Sequence, residues 1–182
     1  MPDLAGLRIL FLNVFGGPTI GGGEVMLLQM IRVARAAGAE VGLVCLPEAE
    51  VGRRAAAEGA EALPFDLTPP DVARRLPALR RLVRSFGPDI VQGTGFLTNV
   101  LSRAVAPRTA SVVNTAQVLP EAARAGGRSA AGVWVRGVLG RFRLGRVSVF
   151  VAVSEAVRDA LVSSGVAHDR IRVVYPAVDA DA

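Results

Sequence analysis

The densest chemistry in this sequence lies in its backbone. Residues Gly16-Gly17-Pro18-Thr19-Ile20-Gly21-Gly22-Gly23-Glu24 end one apolar run and open directly into another. Three consecutive glycines remove every Cβ, so main-chain N–H groups can approach an anion closely. A helix starting there adds about half a positive charge through its unsatisfied first amides. A diphosphate is the natural ligand for such a mouth, with Gly21, Gly22 and Gly23 as the donors. Glu24 in the first turn suits the helix dipole but would repel a phosphate, so it is expected to turn away. Two familiar phosphate loops are excluded. No G-x-G-x-x-G threads through these glycines, and a Walker A loop needs a lysine that the chain lacks.

All 21 basic residues are arginine, which also removes Schiff-base chemistry. The net charge of +5 permits anionic partners without specifying one. Cys45, the single cysteine, ends a predicted strand and reads as a buried, inert thiol. With His168 as the one histidine, no zinc site of the usual ligands can be built, and no metal or other cofactor is expected. His168 follows Gly165-Val166-Ala167 and is expected on the surface. One cysteine allows no internal disulfide, which fits a reducing compartment. No run of about 18 apolar residues is free of charge, so no transmembrane span is expected. Leu7–Phe15 contains Arg8 and reads as a core strand rather than a signal peptide.

The elements that must position the glycine loop alternate along the whole chain. Predicted strands fall at Leu7–Val14, Glu40–Leu46, Ala62–Phe65, Asp89–Gln92, Thr109–Thr115, Val147–Val153 and Arg170–Tyr175. Between them lie helices at Glu24–Ala37, Val51–Ala60, a stretch with Pro77 at its first position, Phe96–Val105, and one capped by Ser154. The first is apolar except for Gln29, Arg32 and Arg35, and is expected to be largely buried. Leu79, Val83 and Phe86 mark the core face of the third, with Arg80, Arg81 and Arg84 on a solvated face. This alternation predicts an α/β, Rossmann-like, three-layer αβα sandwich around a mostly parallel sheet of about seven strands. Ligands of such folds bind at the carboxyl ends of the strands. The loops Gly16–Gly23, Gln92–Phe96, Thr115–Pro120 and Val153–Glu155 are therefore the ones to inspect.

Four segments, in order, carry a family resemblance. Gly21-Gly22-Gly23-Glu24 before an apolar helix, Phe86-Gly87-Pro88-Asp89-Ile90-Val91, Val151-Ala152-Val153-Ser154-Glu155-Ala156-Val157 and Arg170-Ile171-Arg172-Val173-Val174-Tyr175-Pro176-Ala177-Val178-Asp179 resemble motifs of the retaining glycosyltransferases of family four, which have the GT-B fold. The resemblance implies that residues 1–175 are the N-terminal, acceptor-side half of a GT-B fold and that 176–182 begin the interdomain linker. The C-terminal domain, which holds most donor contacts in the family, is expected to be missing here. It further implies a hexosyl transfer from a nucleotide-diphosphate sugar to a sugar or lipid-linked acceptor, in the cytoplasm, with no nucleic acid as partner. Acceptor contacts are expected from the loops after strands four to six: Thr94, Gly95, Phe96, Asn114, Thr115, Ser154 and Glu155.

Two departures stand out. The family commonly has His-x-His-Gly where this chain reads Gln92-Gly93-Thr94-Gly95, and a further histidine where it reads Gln117. Gln117 can donate and accept hydrogen bonds but cannot shuttle a proton. Either Gln117 positions the transferred sugar while the donor phosphate serves as base, or the domain is a non-catalytic, degenerate GT-B-like binding module. Arg128, Arg136, Arg141, Arg143 and Arg146, interleaved with Trp134 and Phe142, could either meet an anionic membrane at the inner face or form the solvated edge of a core helix.

Overall fold

The computed structural model describes residues 3–14, 19–68, 71–117 and 146–176. Seven strands form one parallel sheet in the order β3-β2-β1-β4-β5-β6-β7. They are β1 (Arg8–Leu12), β2 (Glu40–Cys45), β3 (Glu61–Pro64), β4 (Ile90–Gly93), β5 (Ser111–Ala116), β6 (Val147–Ala152) and β7 (Ile171–Val173). The described helices are α1 (Gly22–Ala36), α2 (Glu50–Ala57), α3 (Val72–Phe86), α4 (Phe96–Val105) and α5 (Glu155–Ser163). The architecture is the α/β Rossmann-like fold expected from the alternation.

Period-two alternation in the strands builds two cores. Ile9 and Phe11 face α1 and α2, where Leu27, Ile31, Val51 and Ala55 are buried with Val41 and Leu43. Leu10 and Leu12 face the other way and join Leu79, Val83 and Phe86 of α3, Leu101 of α4 and Val157 of α5. A strand buried on both faces must read as a continuous apolar run, as β1 does after its first residue. Arg8 is that first residue, and its charge is spent at the sheet's lower edge. Its Nε donates to the Phe86 carbonyl at 2.8 Å, its N–H donates to Asp89 Oδ2 at 2.9 Å, and it pairs with Glu40.

The order reverses between β1 and β4. The chain runs outward from β1 to β3, then α3 carries it back across the sheet to β4, on the far side of β1. The carboxyl ends of β1 and β4 therefore flank the crevice where such folds receive ligands.

Three expectations need correction. Helix α1 is one-sided rather than largely buried: Leu27, Ile31 and Ala34 are enclosed, but Val33 is 57% exposed. It is an outer-layer helix, so only the face touching β1 and β2 is covered. Helix α3 begins at Val72, which places Pro77 inside it rather than at its first position. The exposed proline ring removes the donor that would serve the Ala73 carbonyl. The arginines of α3 do not all lie on a free face, since Arg80 Nε donates to the Ala104 carbonyl at 3.1 Å.

Other local readings hold. Gly87, left-handed at φ 66°, ends α3. Ser154 Oγ accepts the Val157 N–H at 3.3 Å and caps α5. Cys45 is buried, and burial pushes its thiol pKa up, as for an inert group. His168 is exposed. The basic stretch between Arg128 and Arg143 lies outside the described residues.

Candidate functional site

The glycine mouth sits at the carboxyl end of β1, as the spacing required. Gly21 is the N-cap of α1, with extended backbone, and Gly22 and Gly23 form the exposed start of the helix. A helix leaves its first amides without internal acceptors, so these N–H groups are open to a ligand. Glu24, however, does not turn away. Its Oε2 accepts the Gly21 N–H at 2.9 Å, the carboxylate half of a capping box. The nearest carboxylate thus satisfies an orphan donor of the first turn. Gly21 is thereby occupied, and the open donors are those of Gly22 and Gly23.

Gln117, just past β5, reaches the same place. A Cβ built on Gly23 would lie 3.1 Å from Gln117 Oε1. The Gln117 Nε2 is buried and, among the described residues, has no hydrogen-bond partner. An unpaired buried N–H costs about 1–3 kcal/mol, which a water or a ligand oxygen would recover. The phosphate mouth and the residue at the family's histidine position, 94 positions apart (117 − 23), are thus adjacent.

Below them lies a polar layer that the sequence did not reveal. Gln92 Nε2 donates to Thr115 Oγ1 at 3.0 Å and contacts Met30 Sδ at 3.4 Å. Asn99 Nδ2 donates to the Thr115 carbonyl at 3.0 Å, while its Oδ1 is buried and, among the described residues, unpartnered. Ser102 Oγ donates to Asn114 Oδ1 at 3.0 Å. Helix α4 turns Thr98, Ser102 and Arg103 inward, and burial lowers the Arg103 pKa. A signal was present: Asn99 and Ser102 at i, i+3 on a helix between two buried strands mark a polar stripe where an apolar one is normal.

This layer revises the acceptor list. Asn114 is 3% exposed and Thr115 1%, and their side chains are spent on Ser102 and Gln92. Both support the site from beneath rather than reaching an acceptor. Thr94 is buried too. Its N–H and that of Gly95 both donate to Thr98 Oγ1, at 3.1 and 2.9 Å, which closes the mouth of α4 from within. Phe96 is 41% exposed and stands at the crevice edge. Glu155 is exposed, pairs with Arg158, and accepts from the Tyr175 hydroxyl at 3.4 Å.

Gly93 makes this geometry possible. A Cβ there would lie 2.6 Å from the Asn99 N and Oδ1 and the Thr98 carbonyl carbon. Two of those atoms are backbone and cannot swing aside. Gly93→Ala is expected to destabilise the fold by about 1–3 kcal/mol, the usual range for overpacking. Urea denaturation with an unchanged slope would register it.

A family model described as Glycosyltransferase Family 4 matches residues 20–182. The chain belongs to that family. No curated protein matches it closely enough to count. Among solved structures, Anabaena HepE in complex with UDP and glucose is similar at 20% identity and a TM-score of 0.69, over 95% of this chain and 45% of that one. The lipopolysaccharide outer core galactosyltransferase WaaB is similar at 13% identity and TM-score 0.63, over 94% of this chain and 46% of that one. Acinetobacter baumannii MurG follows at 12% and 0.60, over 95% and 47%. The chain therefore spans less than half the length of these proteins, and the likeness identifies a Family 4 domain built as one Rossmann-like half of a GT-B fold. Neisseria meningitidis UDP-GlcNAc 2-epimerase shares the same half at 14% identity and TM-score 0.62, over 92% of this chain and 45% of that one. Reaction type in a Family 4 chain must therefore be argued from the site.

Proposed function

We propose that this domain is the acceptor-side half of a two-domain glycosyltransferase that moves a hexosyl group, with retention, from a nucleotide-diphosphate sugar to a sugar or lipid-linked acceptor. The Gly22 and Gly23 N–H groups take the diphosphate. Gln117 holds the transferred hexose through its free amide donor. Phe96, Ser154 and Glu155 border the acceptor side of the crevice. The observation that carries this reading is the meeting of Gly23 and Gln117: a Cβ built on Gly23 would lie 3.1 Å from the amide oxygen and 3.9 Å from the unpartnered amide nitrogen.

Retention suits a site without a strong base. The described groups beside the mouth are the carboxylate of Glu24, already bonded to Gly21, and the neutral amide of Gln117. A donor phosphate oxygen, held by main-chain N–H groups, is then the base that receives the acceptor's proton. The amide groups supply electrostatic stabilisation, commonly the largest share of such a barrier reduction.

The test uses the two-domain protein with UDP-, GDP- and ADP-hexoses, following nucleotide release and product anomeric configuration by NMR. Release from one donor class with the configuration kept is expected. The alternative, a non-catalytic binding module, is favoured by the absence of any histidine at positions 92, 94 and 117, and predicts nucleotide-sugar binding without release. Failure to bind any nucleotide sugar would discard both.

A further inference from the structure

At the opposite end of the sheet lies a second polar cavity. It measures about 400 Å³ and is lined by Arg80, Arg84, Arg108 and Arg146 together with the 104–107 turn. The topology fixes its place. Arg84 is in the last turn of α3, just before β4; Arg108 precedes β5; Arg146 precedes β6. All three lie at the amino ends of strands, a full strand length from the glycine mouth.

Two of the arginines have a structural task. Arg80 Nε donates to the Ala104 carbonyl at 3.1 Å and Arg146 Nη2 to the Pro107 carbonyl at 2.8 Å. These carbonyls belong to the end of α4 and the turn beyond it, where cations are favoured. Each guanidinium has five N–H donors, so most remain for another partner. Arg84 and Arg108 have no such task. Among the described residues, no acceptor or carboxylate meets either guanidinium, and no acidic residue lines the cavity. Seven arginines elsewhere, Arg8, Arg32, Arg53, Arg54, Arg74, Arg75 and Arg158, pair with a carboxylate. Arg84 and Arg108 are exposed and Arg80 and Arg146 half-buried, so water screens part of their mutual repulsion, and an anion among them would gain from all four charges.

We propose that this cavity is a phosphoryl-binding site, separate from the donor crevice. Fork-shaped guanidinium groups match phosphate oxygens two at a time. The volume is that of a small-ligand site and admits a diphosphate or a phosphodiester headgroup.

The test measures inorganic pyrophosphate binding by calorimetry in the full-length protein carrying Gly23→Val, which crowds the glycine mouth. A second arm follows flotation with phosphatidylglycerol vesicles against phosphatidylcholine vesicles. Arg84→Ser with Arg108→Ser is expected to weaken binding at least ~10-fold, because two charge-assisted contacts are lost. Neither side chain serves the fold, so the variant should melt with the parent. Arg53→Ser with Arg74→Ser removes the same charge from elsewhere on the surface and should change affinity less than ~3-fold, as expected for exposed pairs. Pyrophosphate binding lost in the cavity variant supports a soluble phosphoryl ligand, and vesicle binding lost there supports a lipid headgroup. Equal binding by the parent and cavity variant in both arms overturns the site, as does an equal loss in the charge-matched control. Both outcomes are read as a difference between the cavity variant and its charge-matched control, so any pyrophosphate taken up at the donor crevice is common to both and cancels.

Discussion

Valine in place of Gly23 is expected to cut turnover of the proposed two-domain enzyme at least ~100-fold while leaving the domain folded, since a displacement of about 1 Å at a reacting centre costs that much. The added Cβ would sit 3.1 Å from Gln117 Oε1, closer than ordinary contact, and the two methyl groups beyond it would enter the space claimed for the diphosphate. The fold should tolerate the change. Gly23 lies in the first turn of α1 on exposed, right-handed backbone, so no left-handed strain is created. Valine has somewhat better helix propensity than glycine, by a few tenths of a kcal/mol. The atom it crowds is the far end of a flexible side chain. A melting temperature within about 3 °C of the parent, alongside lost turnover, is the expected pair of readings. Turnover within threefold of the parent would show that the diphosphate does not pass over Gly23.

Much of this arrangement was legible because two physical periods fix it. Alternation in β1, with Ile9 and Phe11 opposite Leu10 and Leu12, announces a strand buried on both faces and hence helices in two layers. The glycine run before an apolar stretch announces a helix mouth at the end of that strand. What was not legible depended on distance rather than period. Nothing local says that Asn114 and Thr115 at a strand end are covered by Ser102 and Gln92, because the covering groups come from another helix and another strand. Pro77 reads as a helix start because proline is favoured at the first helical position. Burial of Leu79, Val83 and Phe86 against the sheet held the helix together through it.

Glu24 shows how the competition between fold and ligand is arranged. Its carboxylate stabilises the start of α1 by accepting from Gly21, and the same charge opposes an incoming diphosphate. A ligand must therefore displace the carboxylate or bind beyond it, on Gly22 and Gly23. The self-capped mouth of α4 offers the contrast. There Thr98 takes the Thr94 and Gly95 amides from a buried position, with no charge to be displaced. Of the two glycine-led helix starts facing the crevice, α1 alone retains exposed donors, which is why the donor phosphates are assigned to it and not to α4.

The second large effect concerns Gln117, where stability and activity should move in opposite directions. Its Nε2 is buried without an acceptor, so Gln117→Ala removes an unsatisfied donor rather than a contact. Removing it is expected to leave the unliganded protein as stable as the parent or slightly more so. Turnover is expected to fall at least tenfold, about 1.4 kcal/mol of lost transition-state stabilisation, if that donor is completed by the transferred hexose. The split between constants locates the contact. A fall in kcat with KM unchanged means that the amide bonds best as charge develops on the sugar, whereas a rise in KM alone means ordinary donor binding. Gln117→Glu keeps the shape and puts a negative charge beside the diphosphate, so it should lose more activity than the alanine variant, and more at pH 8 than at pH 5, where a larger share of the carboxylate is protonated. Full activity in Gln117→Ala would remove the side chain from the reaction and leave its unpaired nitrogen a cost of the fold alone.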